Sequence, residues 1–176
     1  MTTRPLLLRP FFIIFFSALV ILIGQEGRAQ IWDGSTSSLW TEGTNWVGDA
    51  APTGSTVATF DGTGAATTTI DLGGTVQSGG IVFNGAGAPS YTIGDGGDTI
   101  ELSVTYDSVD DDLDADIEIF ANVITDQTIA ADILLGGGNT AGSTDFRDEN
   151  RLANFSPNAS LNISGDIAAA PGIAAG

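Results

Sequence analysis

The sequence has no cysteine and no histidine, and its five basic residues are all arginines. Without cysteine there is no disulfide framework, so packing and backbone hydrogen bonds alone must hold the fold. The lack of lysine and histidine also weighs against polysaccharide-lyase chemistry, which needs a base and a cation to stabilise an enolate-like intermediate. Arg147 and Arg151 are the only cations after the first thirty residues. These absences favour a protein without catalysis.

The first 29 residues differ from the rest of the chain. Arg4 and Arg9 precede an apolar run over residues 11–23, and small residues lead up to Ala29. This layout is typical of a secretory signal peptide that is cleaved before Gln30. The alternative is a membrane anchor, but only 16 uncharged residues lie between the flanking charges, whereas a spanning helix needs about 20. We therefore expect export through the inner membrane to a secreted or cell-surface location.

Removal of this segment would make the chain strongly acidic. Three of the five arginines and one of the 22 acidic residues leave with residues 1–29, so two arginines remain against 21 acids and the net charge is −19 over 147 residues. Nucleic acids and anionic membranes both require basic side chains on their protein partners. The composition excludes nucleic acid as a partner and disfavours an anionic membrane, and no small-molecule substrate is evident.

The remaining sequence is typical of strands and turns. Glycine occupies 22 of the 147 positions, about twice the usual ~7%, and no window has sustained helical spacing of apolar residues. An apolar-x-apolar triplet recurs between the turns, which predicts an all-β solenoid of stacked strands with the apolar residues facing inward. The triplets are Ile70-Asp71-Leu72, Ile81-Val82-Phe83, Ile100-Glu101-Leu102, Ile117-Glu118-Ile119, Ile133-Leu134-Leu135 and Leu161-Asn162-Ile163.

The stretch from Asp112 to Phe120 alternates acidic and apolar residues and predicts a half-buried strand. Its acidic face is the first candidate metal site, formed by Asp112, Asp114, Asp116 and Glu118. Calcium needs six to eight oxygen ligands, whereas carboxylates two positions apart on a strand stand about 6.6 Å apart. A solvated acidic face is therefore the favoured interpretation. We expect no cofactor, with calcium as the alternative.

Alignment of the triplets would place neighbouring rungs in a defined register. Glu118 would then lie beside Glu101, and Asp116 would lie beside Thr99 and Asp132. A second calcium candidate is the segment 94–100, which holds one imperfect copy of a calcium-binding roll repeat. Such sites are built between successive copies, so a glycine-rich turn is the favoured interpretation of this segment.

The three tryptophans, Trp32, Trp40 and Trp46, all lie within fifteen positions. Each can bury on the order of 150–250 Å², and a solenoid needs large apolar side chains to cover the exposed core at its ends. We therefore expect residues 30–54, hereafter the Trp-rich module, to be an N-terminal cap. The alternative is a sugar-stacking platform. Exposed, coplanar indole rings would favour the platform, and buried rings would favour the cap.

Several segments together resemble a known family. They are W-D-G…W…N-W…A-P in the Trp-rich module, V-A-T-F-D-G (57–62), I-V-F-N (81–84), Y-T-I-G (91–94) and L-N-I-S-G-D-I (161–167). In these the chain resembles the N-terminal portion of bacterial proteins with autotransporter-associated β-strand repeats, which are large secreted or outer-membrane passengers. The resemblance implies a right-handed parallel β-helix. Family members usually continue through more repeats, often into a membrane barrel or a sorting tail, whereas this sequence stops at Gly176.

These features predict three regions: a signal peptide (1–29), the Trp-rich cap (30–54), and solenoid rungs (55–176) that are incomplete at the carboxyl end. The predicted function is that of an exported structural or adhesive passenger segment with no catalytic residues. The alternative is a carbohydrate-binding module that uses Trp32, Trp40 and Trp46. The expected partners are surface polysaccharide or other passenger segments, and an unfinished rung predicts end-to-end self-association.

Overall fold

The computed structural model describes residues 29–64, 66–102, 117–136 and 152–169. Within these ranges the chain forms thirteen short strands, one 3-10 helix over Gly43–Asn45, and no α-helix. All of the strand pairings between these elements are parallel, and they build three separate sheets. The prediction of an all-β solenoid is confirmed at this level.

Each sheet collects strands that are far apart in the sequence. The first sheet contains β1 (Gln30–Ile31), β2 (Val57–Phe60), β5 (Gly80–Phe83), β8 (Ile117–Ile119) and β11 (Leu152–Asn154). The second sheet contains β3 (Thr69–Ile70), β6 (Thr92–Ile93), β9 (Gln127–Ile129) and β12 (Leu161–Ile163). The third sheet contains β4 (Thr75–Ser78), β7 (Thr99–Leu102), β10 (Asp132–Leu135) and β13 (Ile167–Ala169).

The described chain passes through the three sheets in turn and completes this circuit four times, which gives four rungs. The first rung is β2-β3-β4, and each later rung lies beside the previous one with its strands in parallel register. Paired residues are 23 or 24 positions apart between the first two rungs and 33 to 36 apart between later rungs. The extra residues fall between β7 and β8 and between β10 and β11.

The predicted lateral neighbours of Glu118 are wrong. Glu118 lies beside Val82 and Ala153 in the first sheet, whereas Glu101 belongs to the third sheet. The reason is that successive triplets along the chain lie on different sides of the solenoid, so their order in the sequence is not their order of stacking. The prediction placed Asp116 between Thr99 and Asp132, but these two residues pair directly with each other in the third sheet. Asp116 itself lies outside the described residues.

The inward face is largely as predicted. Nine of the twelve apolar residues expected inside are buried: Ile70, Leu72, Ile81, Phe83, Ile100, Leu102, Ile117, Ile119 and Ile133. The other three, Leu135, Leu161 and Ile163, are only partly buried and pack against this core. Leu161 and Ile163 belong to the fourth rung, whose strands pair on one side only within the described residues, so the described chain places no layer beyond them. Leu135 is the last residue of β10 in the third rung.

Tyr91 is fully buried just before β6, with its ring centroid 5.1 Å from that of Phe60. Its hydroxyl makes no well-formed hydrogen bond within the described residues. Burial raises the pKa of Tyr91 to about 12, the Asp61 carboxylate adds to this rise, and the Gly62 N–H acts in the opposite direction. A buried hydroxyl without a well-formed hydrogen bond costs about 1–3 kcal/mol, which offsets part of the stability gained from burial of the ring.

We predict that Tyr91→Phe leaves the free energy of unfolding at pH 7 unchanged or raises it by about 1 kcal/mol, because no hydrogen bond is lost. The wild-type protein should lose stability as the pH rises from the ordinary tyrosine pKa of 10.0 towards about 12, because only the unfolded state ionises there. The Tyr91→Phe variant should lose less stability over the same pH range. Urea denaturation of both proteins at pH 7 and pH 11 is the measurement, and Tyr106, present in both, cancels from the difference. Equal losses in the two proteins would contradict the assignment.

Candidate functional site

The three tryptophans form one buried cluster against the first rung. Trp32, Trp40 and Trp46 are each no more than 1% exposed. The ring of Trp46 lies edge-on to both others, with centroid distances of 5.0 Å to Trp32 and 4.8 Å to Trp40. All three rings lie 6.0 to 6.3 Å from Phe60, whose ring is in turn stacked on Phe83 at 5.4 Å. The cluster therefore continues the aromatic interior of the solenoid.

The backbone of the Trp-rich module is held in place by the buried side chain of Asn45. Its Oδ1 accepts hydrogen bonds from the N–H groups of Thr36 and Ser37 at 2.9 and 2.8 Å. Its Nδ2 donates to the Leu39 carbonyl at 2.8 Å and to the Ser37 hydroxyl at 2.9 Å. One amide thus fixes the loop that brings Trp40 and Trp46 together.

Two of the three indole N–H groups have partners. Trp32 Nε1 donates to the Thr67 carbonyl at 2.9 Å, and Trp46 Nε1 donates to the Trp40 carbonyl at 2.7 Å. The buried Nε1 of Trp40 has no acceptor among the described residues. A buried N–H without an acceptor loses the hydrogen bond that it had in water, so Trp40 contributes less stability than its area suggests.

A groove runs along one side of the tryptophan cluster. Its volume is about 410 Å³, which is within the ~300–1,000 Å³ range of ligand-binding clefts. Strand β4 forms one wall, and the chain between the cluster and β2 forms the other. The lining residues are Trp40, Thr41, Ala51, Pro52, Thr53, Thr75, Val76 and Gln77.

The burial of the tryptophans bears directly on the carbohydrate-binding alternative. A stacking platform needs exposed indole faces, and Trp32, Trp40 and Trp46 offer none because they pack on one another and on Phe60. The rings are also not coplanar, since the ring of Trp46 makes interplanar angles of 77° with Trp32 and 73° with Trp40. The exposed, coplanar indole rings that would have favoured a carbohydrate-binding platform are therefore not observed.

The acidic residues of the described chain act mainly on its own backbone. Seven of the twelve described carboxylates accept backbone N–H groups at turns. Four of these bonds go to the residue two positions ahead in the same turn. The other three join neighbouring rungs: Asp98 accepts the Gly74 N–H, Asp126 accepts the Ser160 N–H, and Asp132 accepts the Asp166 N–H. These carboxylates stabilise turns and join rungs.

Most of the predicted calcium candidates cannot be placed. Asp112, Asp114 and Asp116 lie outside the described residues, and Glu118 is half-buried on β8. No group of three or more potential metal ligands is found in the part of the chain that the structure describes. The described chain therefore does not bring Glu118 together with a set of further ligands.

The second calcium candidate forms a turn, as the favoured interpretation predicted. Asp95 Oδ1 accepts the Gly97 N–H at 2.8 Å, and Asp98 Oδ2 accepts the Asp95 N–H at 3.1 Å. The other oxygen of Asp98 accepts the Gly74 N–H at 2.8 Å. The carboxylates of this loop are thus engaged with the backbone.

The described residues include few side chains that are suited to acid–base catalysis. Arg147 and Arg151 both lie outside the described residues, and all twelve charged side chains within them are Asp or Glu. Among the described acids, Asp126 has a lowered pKa because the Ser160 hydroxyl and N–H both donate to it. A general acid needs a raised pKa instead, so this carboxylate suits a structural role.

In comparison with known proteins, no family model, no curated protein and no solved structure matches the chain. In the described residues, no helix has the length and apolar character required to cross a membrane.

Sequence reasoning missed two buried amides. Gln127 donates from Nε2 to the carbonyls of Pro89 and Thr125 and accepts the Tyr91 N–H, so it closes a turn inside the core. Asn45 plays the same role in the Trp-rich module. Polar residues next to apolar ones look like turn residues in a sequence, and the only available signal was their position between strands. The groove was also missed because its two walls are distant in the sequence.

We predict that acid loosens the fourth rung at Ser160. The lowered pKa of Asp126 means that its contribution is present above the ordinary aspartate pKa of 3.8 and is lost as the pH falls through the lower folded value. Hydrogen exchange of the Ser160 N–H should accelerate over that range. Asp126→Asn should accelerate this exchange already at neutral pH, whereas Asp49→Asn, an exposed turn control, should not. Identical exchange in both variants would contradict the role of Asp126.

Proposed function

We propose that this chain is an exported structural or adhesive segment without catalysis, built as a right-handed parallel β-helix whose first rung is closed by the Trp-rich module. The observation that carries the proposal is the continuous stacked interior, which runs from the tryptophan cluster through Phe60 and Phe83 into the later rungs. Such an interior leaves the polar turns outside. Stacked solenoids of this kind present extended surfaces to partners.

The capping role is supported by the position of the Trp-rich module. Strand β1 pairs with the outer side of β2, and Leu39 forms a parallel bridge with Asp71 next to β3. The three indole rings cover Phe60 at the same end. A solenoid end that is covered in this way keeps apolar core and strand edges from water and from other chains.

Right-handed winding is supported by a general rule of parallel sheets. A connection between parallel strands of one sheet is right-handed in about 98% of cases, because twisted strands pack back onto the sheet only with that hand. The circuit from β2 through β3 and β4 to β5 is a connection of this kind.

The absence of catalysis is supported by how the acids are used. Seven of the twelve described carboxylates hold turns or join rungs, and no basic side chain occurs among the described residues. A hydrolase with two carboxylates needs one of them to be kept protonated by its surroundings. The hydrogen bonds from Ser160 lower the pKa of Asp126, which is the opposite of what such an acid requires.

Export is the part of the proposal that is simplest to test. The charged, apolar and small-residue zones of residues 1–29 predict cleavage after Ala29. N-terminal sequencing of protein recovered outside a Gram-negative host should therefore begin at Gln30, and Ala29→Asp should block processing. A mature product that retains Arg4 and Arg9 in the membrane fraction would overturn the assignment.

The proposed capping role predicts that substitutions at two adjacent residues have unequal effects on the free energy of unfolding. Trp46→Ala should lower the free energy of unfolding by about 3–5 kcal/mol, because it removes a fully buried ring from the cluster. Val47→Ala, next in the sequence and 50% exposed, should change it by less than about 1 kcal/mol. Denaturant unfolding monitored by circular dichroism compares them. Comparable small effects would show that the cluster does not support the first rung.

A further inference from the structure

The third sheet lacks the outer backbone pairing that the Trp-rich module makes on the other two sides of the first rung. In the first sheet β1 lies outside β2, and beside the second sheet Leu39 bridges to Asp71. In the third sheet β4 is the last strand, and within the described residues it pairs only with β7. The chain of the Trp-rich module thus supplies an outer layer on two sides of the solenoid and leaves one strand position open on the third.

The backbone of β4 has hydrogen-bonding groups directed to this open position. The Thr99 N–H of β7 donates to the Gly74 carbonyl, so Gly74 and Val76 direct their backbone groups towards β7. Residues that alternate with these along a strand direct theirs to the opposite side. Thr75 and Gln77 therefore direct their N–H and C=O groups away from β7, as an edge strand does.

The groove beside Trp40 lies at this same edge. Thr75, Val76 and Gln77 form its β4 wall, and Trp40 and Pro52 are among the residues opposite. A four-residue strand such as β4 is about 13 Å long, and an added strand would lie about 4.8 Å from it. The groove thus combines a free strand edge, walls of mixed apolar and polar residues, and an open volume of about 410 Å³.

We propose that this groove binds an extended, basic peptide segment of a partner protein, which adds a strand to the third sheet beside β4. Peptides bind exposed sheet edges in this way when backbone hydrogen bonds give affinity and side-chain pockets give specificity. The basic character follows from charge, since all twelve charged side chains of the described residues are acidic. The groove lining itself contains no basic side chain that would repel such a segment. Glu101, which accepts a hydrogen bond from Gln77, lies on β7, on the other side of β4 from the proposed strand.

A second copy of the chain fits the groove less well. If the fourth rung of another copy stacked on β1 and Leu39, its β13 would be separated from β4 by one empty strand position of about 4.8 Å. A single extended segment enters that position without this mismatch. The proposal does not depend on export or on the handedness of the helix, so it can fail while the proposed function stands.

The test uses the full chain and a synthetic probe, acetyl-Lys-Val-Thr-Val-Lys-amide. Binding should slow hydrogen exchange of the Thr75 and Gln77 N–H groups by about tenfold or more at saturation. A second probe with Glu in place of Lys should bind at least about tenfold more weakly at low salt because of charge repulsion. A third probe, N-methylated at both valines, tests the backbone hydrogen bonds on unaltered protein.

Two matched protein variants locate the site. Gln77→Pro removes an outward N–H, which an edge strand tolerates, and should weaken binding about tenfold through the loss of a hydrogen bond. Ile167→Pro alters β13 at the far edge of the same sheet and should leave probe affinity unchanged. Circular dichroism and tryptophan fluorescence check that both variants fold.

Several results would overturn the proposal. They are unchanged exchange at Thr75 and Gln77 with millimolar probe, equal affinity for the Lys and Glu probes at low salt, or full affinity of the N-methylated probe. Should Gln77→Pro fail to fold, the three probes on the wild-type protein still decide. Protection of the same N–H groups that rises with protein concentration in the absence of probe would assign the groove to self-association instead.

Discussion

The structure depends on one constraint: each inward-facing side chain must lie over an inward-facing side chain of the neighbouring rung. Parallel pairing enforces this, since Ile81 lies beside Ile117 and Phe83 beside Ile119 in strict register. A slip of one residue would turn every apolar side chain outward, because the side-chain period of a strand is two. The same register aligns the backbone hydrogen bonds that join the rungs. A change of register would therefore disrupt both the interior packing and the hydrogen bonds between rungs.

The acidic composition follows from how the turns between strands are made. A solenoid with three sides must turn sharply several times per rung, and each turn leaves backbone N–H groups without strand partners. Aspartate side chains accept these groups, within a turn as at Asp61 or between rungs as at Asp98 and Asp126. Short acceptor side chains are suited to this role. The negative charge of the chain is thus partly a consequence of how its turns are made.

The outer side of the first rung shows how the proposed structural and binding roles can coexist. Burial of Trp32, Trp40 and Trp46 uses the aromatic surface for the fold and leaves none of it for sugars. The same module stops short of the third sheet, so a strand edge and a groove remain beside Trp40. The covered end gives the proposed β-helix its stability, and the uncovered edge gives it a place where a partner strand can bind.

The sequence by itself determined the all-β class, most of the inward-facing residues and the turn at residues 94–100, because these follow from local alternation and local hydrogen bonding. Only the tertiary structure decided which triplets stack. Glu118 lies beside Val82 and not beside Glu101 because each rung spans three sheets and rungs differ in length. It also decided that the tryptophans are buried and that β4 has a free edge. Both depend on contacts between residues distant in sequence, for which a one-dimensional pattern contains no signal.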